Sequence, residues 1–124
     1  MTLKARTALI GFHHRDLLEA IRDRLEFEGY EVTPVSTLDE MMRYAETGFD
    51  VYLMDVNLGD PASNNILPAE NFYRKVRVRV ENGKSIFFAT SNSSYLVGVA
   101  KEGGIPTIQK GQELLTKINE LSSN

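Results

Sequence analysis

Cysteine is absent from all 124 residues. Disulfides, thiolate nucleophiles and cysteine metal sites are therefore excluded, and the composition fits a reducing compartment. A strong excess of one charge is missing too. The formal net charge is -3, which gives no global electrostatic attraction to nucleic acid. Long apolar runs are also lacking, and none approaches the roughly 20 residues of a membrane span. Met1 to Lys4 leads straight into a short apolar run, with neither the core length nor the cleavage signature of a signal peptide. The expectation is a soluble cytoplasmic protein with no nucleic-acid and no membrane partner. The hydrophobic share of 42% and the charged share of 25% are ordinary for a globular chain. Residues 1-124 are expected to form one domain with a packed core.

The apolar runs are short and alternate with longer amphipathic stretches. Thr7 to Phe12 reads as a buried strand. Asp16 to Glu28 carries Leu17, Leu18, Ile21 and Leu25 at helical spacing, and Gly29 stops that helix. Tyr30 to Val35 is a second strand. Ser36 or Thr37 caps a second helix, with Asp39 and Glu40 in its first turn, Leu38, Met41, Met42 and Ala45 inside, and an end near Gly48. Val51 to Met54 is a third strand, stopping at Asp55. Val56 to Pro68 is a loop rich in turn-forming residues. From Ala69 to Glu81 the pattern is double. Val76, Val78 and Val80 alternate with Arg77 and Arg79 as in a strand, while Phe72, Tyr73, Val76 and Val80 share one helical face. Helix is the better assignment, because it supplies a crossover of suitable length.

Ser85 to Ala89 is a fourth strand, Tyr95 to Lys101 a short helix, Thr107 to Gln109 a fifth strand, and Gln112 to Leu121 a last helix. Phe27, Phe49, Phe87 and Phe88 are assigned to the core. Strands alternating with helices in this way imply an α/β fold in three layers, a parallel sheet covered on both faces. Right-handed crossovers then favour the flavodoxin-like order 2-1-3-4-5.

Ligands of such sheets bind at the carboxyl ends of the strands. Strand one delivers Phe12 and His13 to that edge. Strand three delivers Asp55, followed by Asn57. Strand four delivers Thr90 and Ser91, and strand five Lys110. A carboxylate, hydroxyls and an ammonium thus converge. A carboxylate can accept a phosphoryl group as an aspartyl phosphate, and such transfer is mostly positioning and charge neutralisation. Each residue also has a plainer reading. Asp favours turns, Thr90 and Ser91 suit helix capping, and a lysine at a strand end can simply be solvated. His13-His14 reads as a surface or capping pair, and Arg74, Lys75, Arg77 and Arg79 as a solvated helix face.

Met54-Asp55-Val56-Asn57-Leu58, Ala89-Thr90-Ser91 and Ile108-Gln109-Lys110 together resemble the three corners of a response-regulator receiver domain (CheY-like), here standing alone. The resemblance runs along the whole chain. It implies a non-enzymatic role in two-component, phosphorelay signal transduction, with Asp55 taking a phosphoryl group from a histidine kinase. It implies that Thr90 hydrogen-bonds that group, that Lys110 pairs with it, and that output passes by protein contact through the face near Tyr95 to Gln112. No oligomeric state follows from it. It also implies Mg2+, held by Asp55 and the Asn57 backbone carbonyl with two acidic residues at the end of strand one.

Those two acidic positions read Phe12 and His13, which offer no oxygen ligand of the kind Mg2+ prefers. Gly111 stands where the family has proline, and Thr107 where its signalling members carry an aromatic residue. The alternative is a pseudo-receiver, keeping the fold as an interaction module that works without phosphate. A flavin or cobalamin carrier is disfavoured. Gly11 to Asp16 is not a hydroxyl- and glycine-rich phosphate loop, and no Asp-x-His-x-x-Gly arrangement occurs.

Overall fold

A computed structural model describes residues 6–59 and 65–122. The elements run β1 (Thr7–Gly11), α1 (Arg15–Phe27), β2 (Glu31–Val35), α2 (Leu38–Arg43), β3 (Val51–Asp55), α3 (Leu67–Glu81), β4 (Ile86–Ser91), α4 (Ser94–Glu102), β5 (Thr107–Gln109) and α5 (Gln112–Ser122). All strand pairs are parallel, in the order β2-β1-β3-β4-β5. Fold class and topology agree with the expectation from sequence.

Side chains leave a strand alternately to its two faces, and the core divides accordingly. Leu9, Tyr52, Met54, Phe87 and Ala89 pack with Met41, Phe72, Val76 and Ala100 of α2, α3 and α4. Ala8, Ile10, Val51 and Leu53 pack with Ile21, Leu25, Leu114, Ile118 and Leu121 of α1 and α5. The central strand β3 is buried on both faces, as its unbroken apolar run requires. Pro34, which cannot donate a ladder hydrogen bond, lies in β2 at the edge of the sheet.

The double pattern before Glu81 resolves as a helix because Phe72 and Val76, four apart, are both fully buried. Val78 points outward, 69% exposed, and a strand alternation would have placed it beside Val76. Two arginines of this helix pair with carboxylates one turn away, and Arg79 donates to the Ser85 hydroxyl at 3.0 Å. Arg74 meets Glu70 at 3.4 Å and Arg77 meets Glu81 at 2.7 Å. The Glu81 hydrogen bond, then its charge, raises the pKa of Arg77.

Several boundaries move. β3 and β4 run on to Asp55 and Ser91, because Val56 N–H donates to the Thr90 carbonyl and Lys110 N–H to that of Ser91. α2 ends at Arg43 rather than near Gly48, and Tyr44 and Ala45 bond back to Met41 and Met42 in tighter turns. α3 begins at Leu67, with Pro68 in its first turn. Part of the preceding loop, residues 60–64, lies outside the described residues, as do 1–5 and 123–124. Phe27 departs from its core assignment. It is the last residue of α1 and is 82% exposed.

Thr37 caps α2. Its hydroxyl oxygen accepts the Glu40 N–H at 3.2 Å, and the Glu40 carboxylate accepts from that hydroxyl at 3.0 Å. Thr37→Ala is expected to lower stability by about 1 kcal/mol, read as a shift of the urea midpoint. An unchanged midpoint would mean the cap contributes nothing.

Candidate functional site

Asp55 follows Val51 and Leu53 at the strand period, so its side chain leaves β3 on the face covered by α1 and α5. Thr90 follows Phe88 in β4 on the same side, and Asp55 and Thr90 are partners across the β3–β4 ladder. Lys110 comes directly after β5, and Phe12 and His13 directly after β1. The expected residues therefore meet at the carboxyl edge.

Asp55 is 1% exposed, so its charge needs compensation from its neighbours. Lys110 Nζ lies 2.5 Å from Oδ1. No hydrogen bond of satisfactory angle reaches Oδ1, so this contact is one of charge, and the ammonium carries the compensation of that oxygen. Oδ2 accepts the backbone N–H of His13 at 2.8 Å. The Lys110 ammonium also stands 5.8 Å from the centre of the Phe12 ring. Phe12 itself is fully buried with Ile21 and Leu25 in the core layer.

Thr90 is fully buried, and its hydroxyl donates to the Met54 carbonyl at 3.5 Å, the far limit of a hydrogen bond. So long a bond is readily exchanged for a better acceptor. Ser91 has the capping role instead. Its hydroxyl oxygen accepts the Ser93 N–H at 3.0 Å, and that of Ser93 caps α4 through the Leu96 N–H. Thr107 is buried, with its hydroxyl tied to the Ile105 carbonyl at 2.8 Å. Gly111 has φ +95°, which proline, fixed near −65°, cannot adopt. Glycine at this position thus follows from the local path of the chain.

His13 does not have the surface or capping role expected for it. Its side chain is 15% exposed. Nε2 lies 2.9 Å from the Asn57 carbonyl oxygen and 3.7 Å from Asp55 Oδ2. A carbonyl can only accept, so Nε2 carries a hydrogen and donates. His14 precedes α1 as its N-cap residue and makes no side-chain cap. The signal for His13 was its place at the carboxyl edge. Residue type alone did not say that the ring turns inward.

The donor set does not suit Mg2+. That ion requires oxygen ligands in near-octahedral array. Phe12 supplies none, and the two oxygens that resemblance assigns to the metal, on Asp55 and Asn57, both face His13 Nε2. Among the described residues no group of three or more His, Asp or Glu side chains could hold a metal ion.

No protein-family model matches the chain, and no curated protein matches it. Solved structures do. A CheY-like response regulator receiver domain protein from Methanospirillum hungatei JF-1 aligns with TM-score 0.68 at 24% identity, over 97% of this chain and 95% of that one. The non-phosphorylated HemR receiver domain from Leptospira biflexa gives 0.67 at 23% identity, over 96% and 95%. The chemotaxis response regulator CheY4 of Vibrio cholerae gives 0.65 at 18%, over 93% and 99%. This chain has the receiver-domain fold. The receiver fold here spans the described residues from β1 to α5, and no helix among them is long and apolar enough to cross a membrane.

Proposed function

We propose that the chain is a receiver module in two-component signal transduction, with Asp55 as phosphoryl acceptor and Lys110 and Thr90 as its partners. The observation that supports this most is the buried Asp55–Lys110 pair, with the loosely bonded Thr90 hydroxyl on the neighbouring strand. A carboxylate oxygen of Asp55 would attack the phosphorus of a phosphohistidine on a histidine kinase. The phosphorus–nitrogen bond breaks, and its electron pair stays with the donor imidazole. Lys110 would pair with a phosphoryl oxygen in place of the carboxylate, and Thr90 would exchange the Met54 carbonyl for another phosphoryl oxygen. The chain serves as a signalling partner in this reading, and output passes by protein contact at the face near Tyr95 to Gln112, where Tyr95 is well exposed.

A second reading is favoured by a specific observation. Lys110 and His13 already engage the two oxygens of Asp55, as suits a pseudo-receiver that docks without phosphate. Intact mass after incubation with a small acyl phosphate separates the two. Wild type is expected to gain one phosphoryl group and Asp55→Asn none. A wild-type chain that gains nothing would support the pseudo-receiver and end the first reading.

A further inference from the structure

The disagreement between this site and a Mg2+ site has a specific form. A divalent cation in a receiver would tie the acceptor carboxylate to the carbonyl two residues later. Here one residue, His13, reaches both groups. The His13 backbone N–H fixes Asp55 Oδ2 at 2.8 Å, and its ring nitrogen reaches the Asn57 carbonyl at 2.9 Å and lies 3.7 Å from the same Oδ2. Leu58 N–H donates to the Asp55 carbonyl at 3.2 Å, so the turn that carries Asn57 is anchored at its other side as well.

We infer that His13 takes the place of the metal, its backbone N–H holding the acceptor carboxylate and its imidazole the turn after β3, and that it makes the site indifferent to Mg2+. His13 is a positioning residue in this account. It holds Asp55 and the Asn57 turn in register and performs no chemistry itself. Three features carry the inference together. The ring is largely enclosed. Its donor hydrogen is directed at the very carbonyl a metal would use. The other position of the missing acidic pair is filled by Phe12, whose ring belongs to the core and cannot turn out to be replaced by a hydrated ion. Lys110 then supplies the single positive charge that balances Asp55, and a +2 ion would over-compensate a site with one carboxylate. The inference holds whether or not Asp55 accepts a phosphoryl group, since it concerns the resting arrangement.

The test is a magnesium chloride titration of the 15N-labelled chain, followed by amide NMR, with sodium chloride of equal ionic strength as the reference. Wild type is expected to show no saturable shift at His13, Asp55, Asn57, Leu58 or Gly59. His13→Asp removes the ring and adds an oxygen ligand, and saturable shifts are expected at the same amides. Saturable shifts in wild type would overturn the inference. So would an unresponsive but folded His13→Asp, because the ring would then not be what keeps the ion out. A long-range 1H–15N spectrum of the wild-type imidazoles tests the contact without any variant. Nε2 of His13 is expected to bear a hydrogen, and an unprotonated Nε2 would overturn the inference even if His13→Asp failed to fold. Neither measurement uses phosphorylation, so a failed mass experiment leaves its outcome independent.

Discussion

Lys110→Met is expected to lower the stability of the fold by about 3 kcal/mol, the lower end of the cost of breaking a buried ion pair from one side. The loss is large because of what remains. Asp55 is 1% exposed, and without the ammonium its Oδ1 faces no compensating charge. Its Oδ2 keeps the His13 N–H, which places the estimate at the lower end. Asp55→Asn is expected to cost less, about 1 kcal/mol. The lysine has a long apolar stem and borders the cavity lined by His14, Arg15, Asp16, Leu17, Asn92 and Gly111, so its ammonium can turn to water. The double variant should therefore be more stable than Lys110→Met alone. Urea unfolding of the four chains by circular dichroism provides the cycle. A Lys110→Met chain within about 0.5 kcal/mol of wild type, the range of neutral surface changes, would mean that the short contact stores no stability.

The same pair shows what could be read from the residues and what could not. Parallel order and the convergence of Asp55, Thr90 and Lys110 follow from periodicity and from chain position at the ends of strands, and the helix ending at Glu81 from the need for a crossover of suitable length. Periodicity records which face of an element is apolar, and such faces must be buried somewhere. It carries less information about ends. β4 extends to Ser91 because Lys110 and Val56 find its carbonyls, and those partners are distant in sequence. Phe27 reads as core by residue type, yet it lies past the last buried turn of α1, at a place no other element covers. His13 was obscured for a different reason. Its ring could turn to solvent or inward, and only the carbonyl of Asn57, 44 residues on, decides between them.

Phe12 gives the other large effect. Phe12→Asp, which writes an acidic residue back at the end of β1, is expected to leave the chain largely unfolded. Phe12 is fully buried among Ile10, Ile21 and Leu25. Removing a ring from such a place costs about 3–5 kcal/mol by itself, and a carboxylate put there adds a buried charge whose nearest cation, Lys110, is already paired with Asp55. The sum approaches the whole stability of an ordinary domain, about 5–15 kcal/mol. Phe12→Leu keeps an apolar group and should cost about 1.5 kcal/mol or less, so the pair of variants separates charge from volume. Far-UV circular dichroism and a thermal melt read both. A cooperatively folded Phe12→Asp with a melting point near that of wild type would show that position 12 faces the crevice rather than the core. The acidic pair could then be rebuilt one residue at a time. The packing of Phe12 argues otherwise, since its ring and the His13 imidazole form one arrangement, apolar beneath the site and hydrogen-bonded across it.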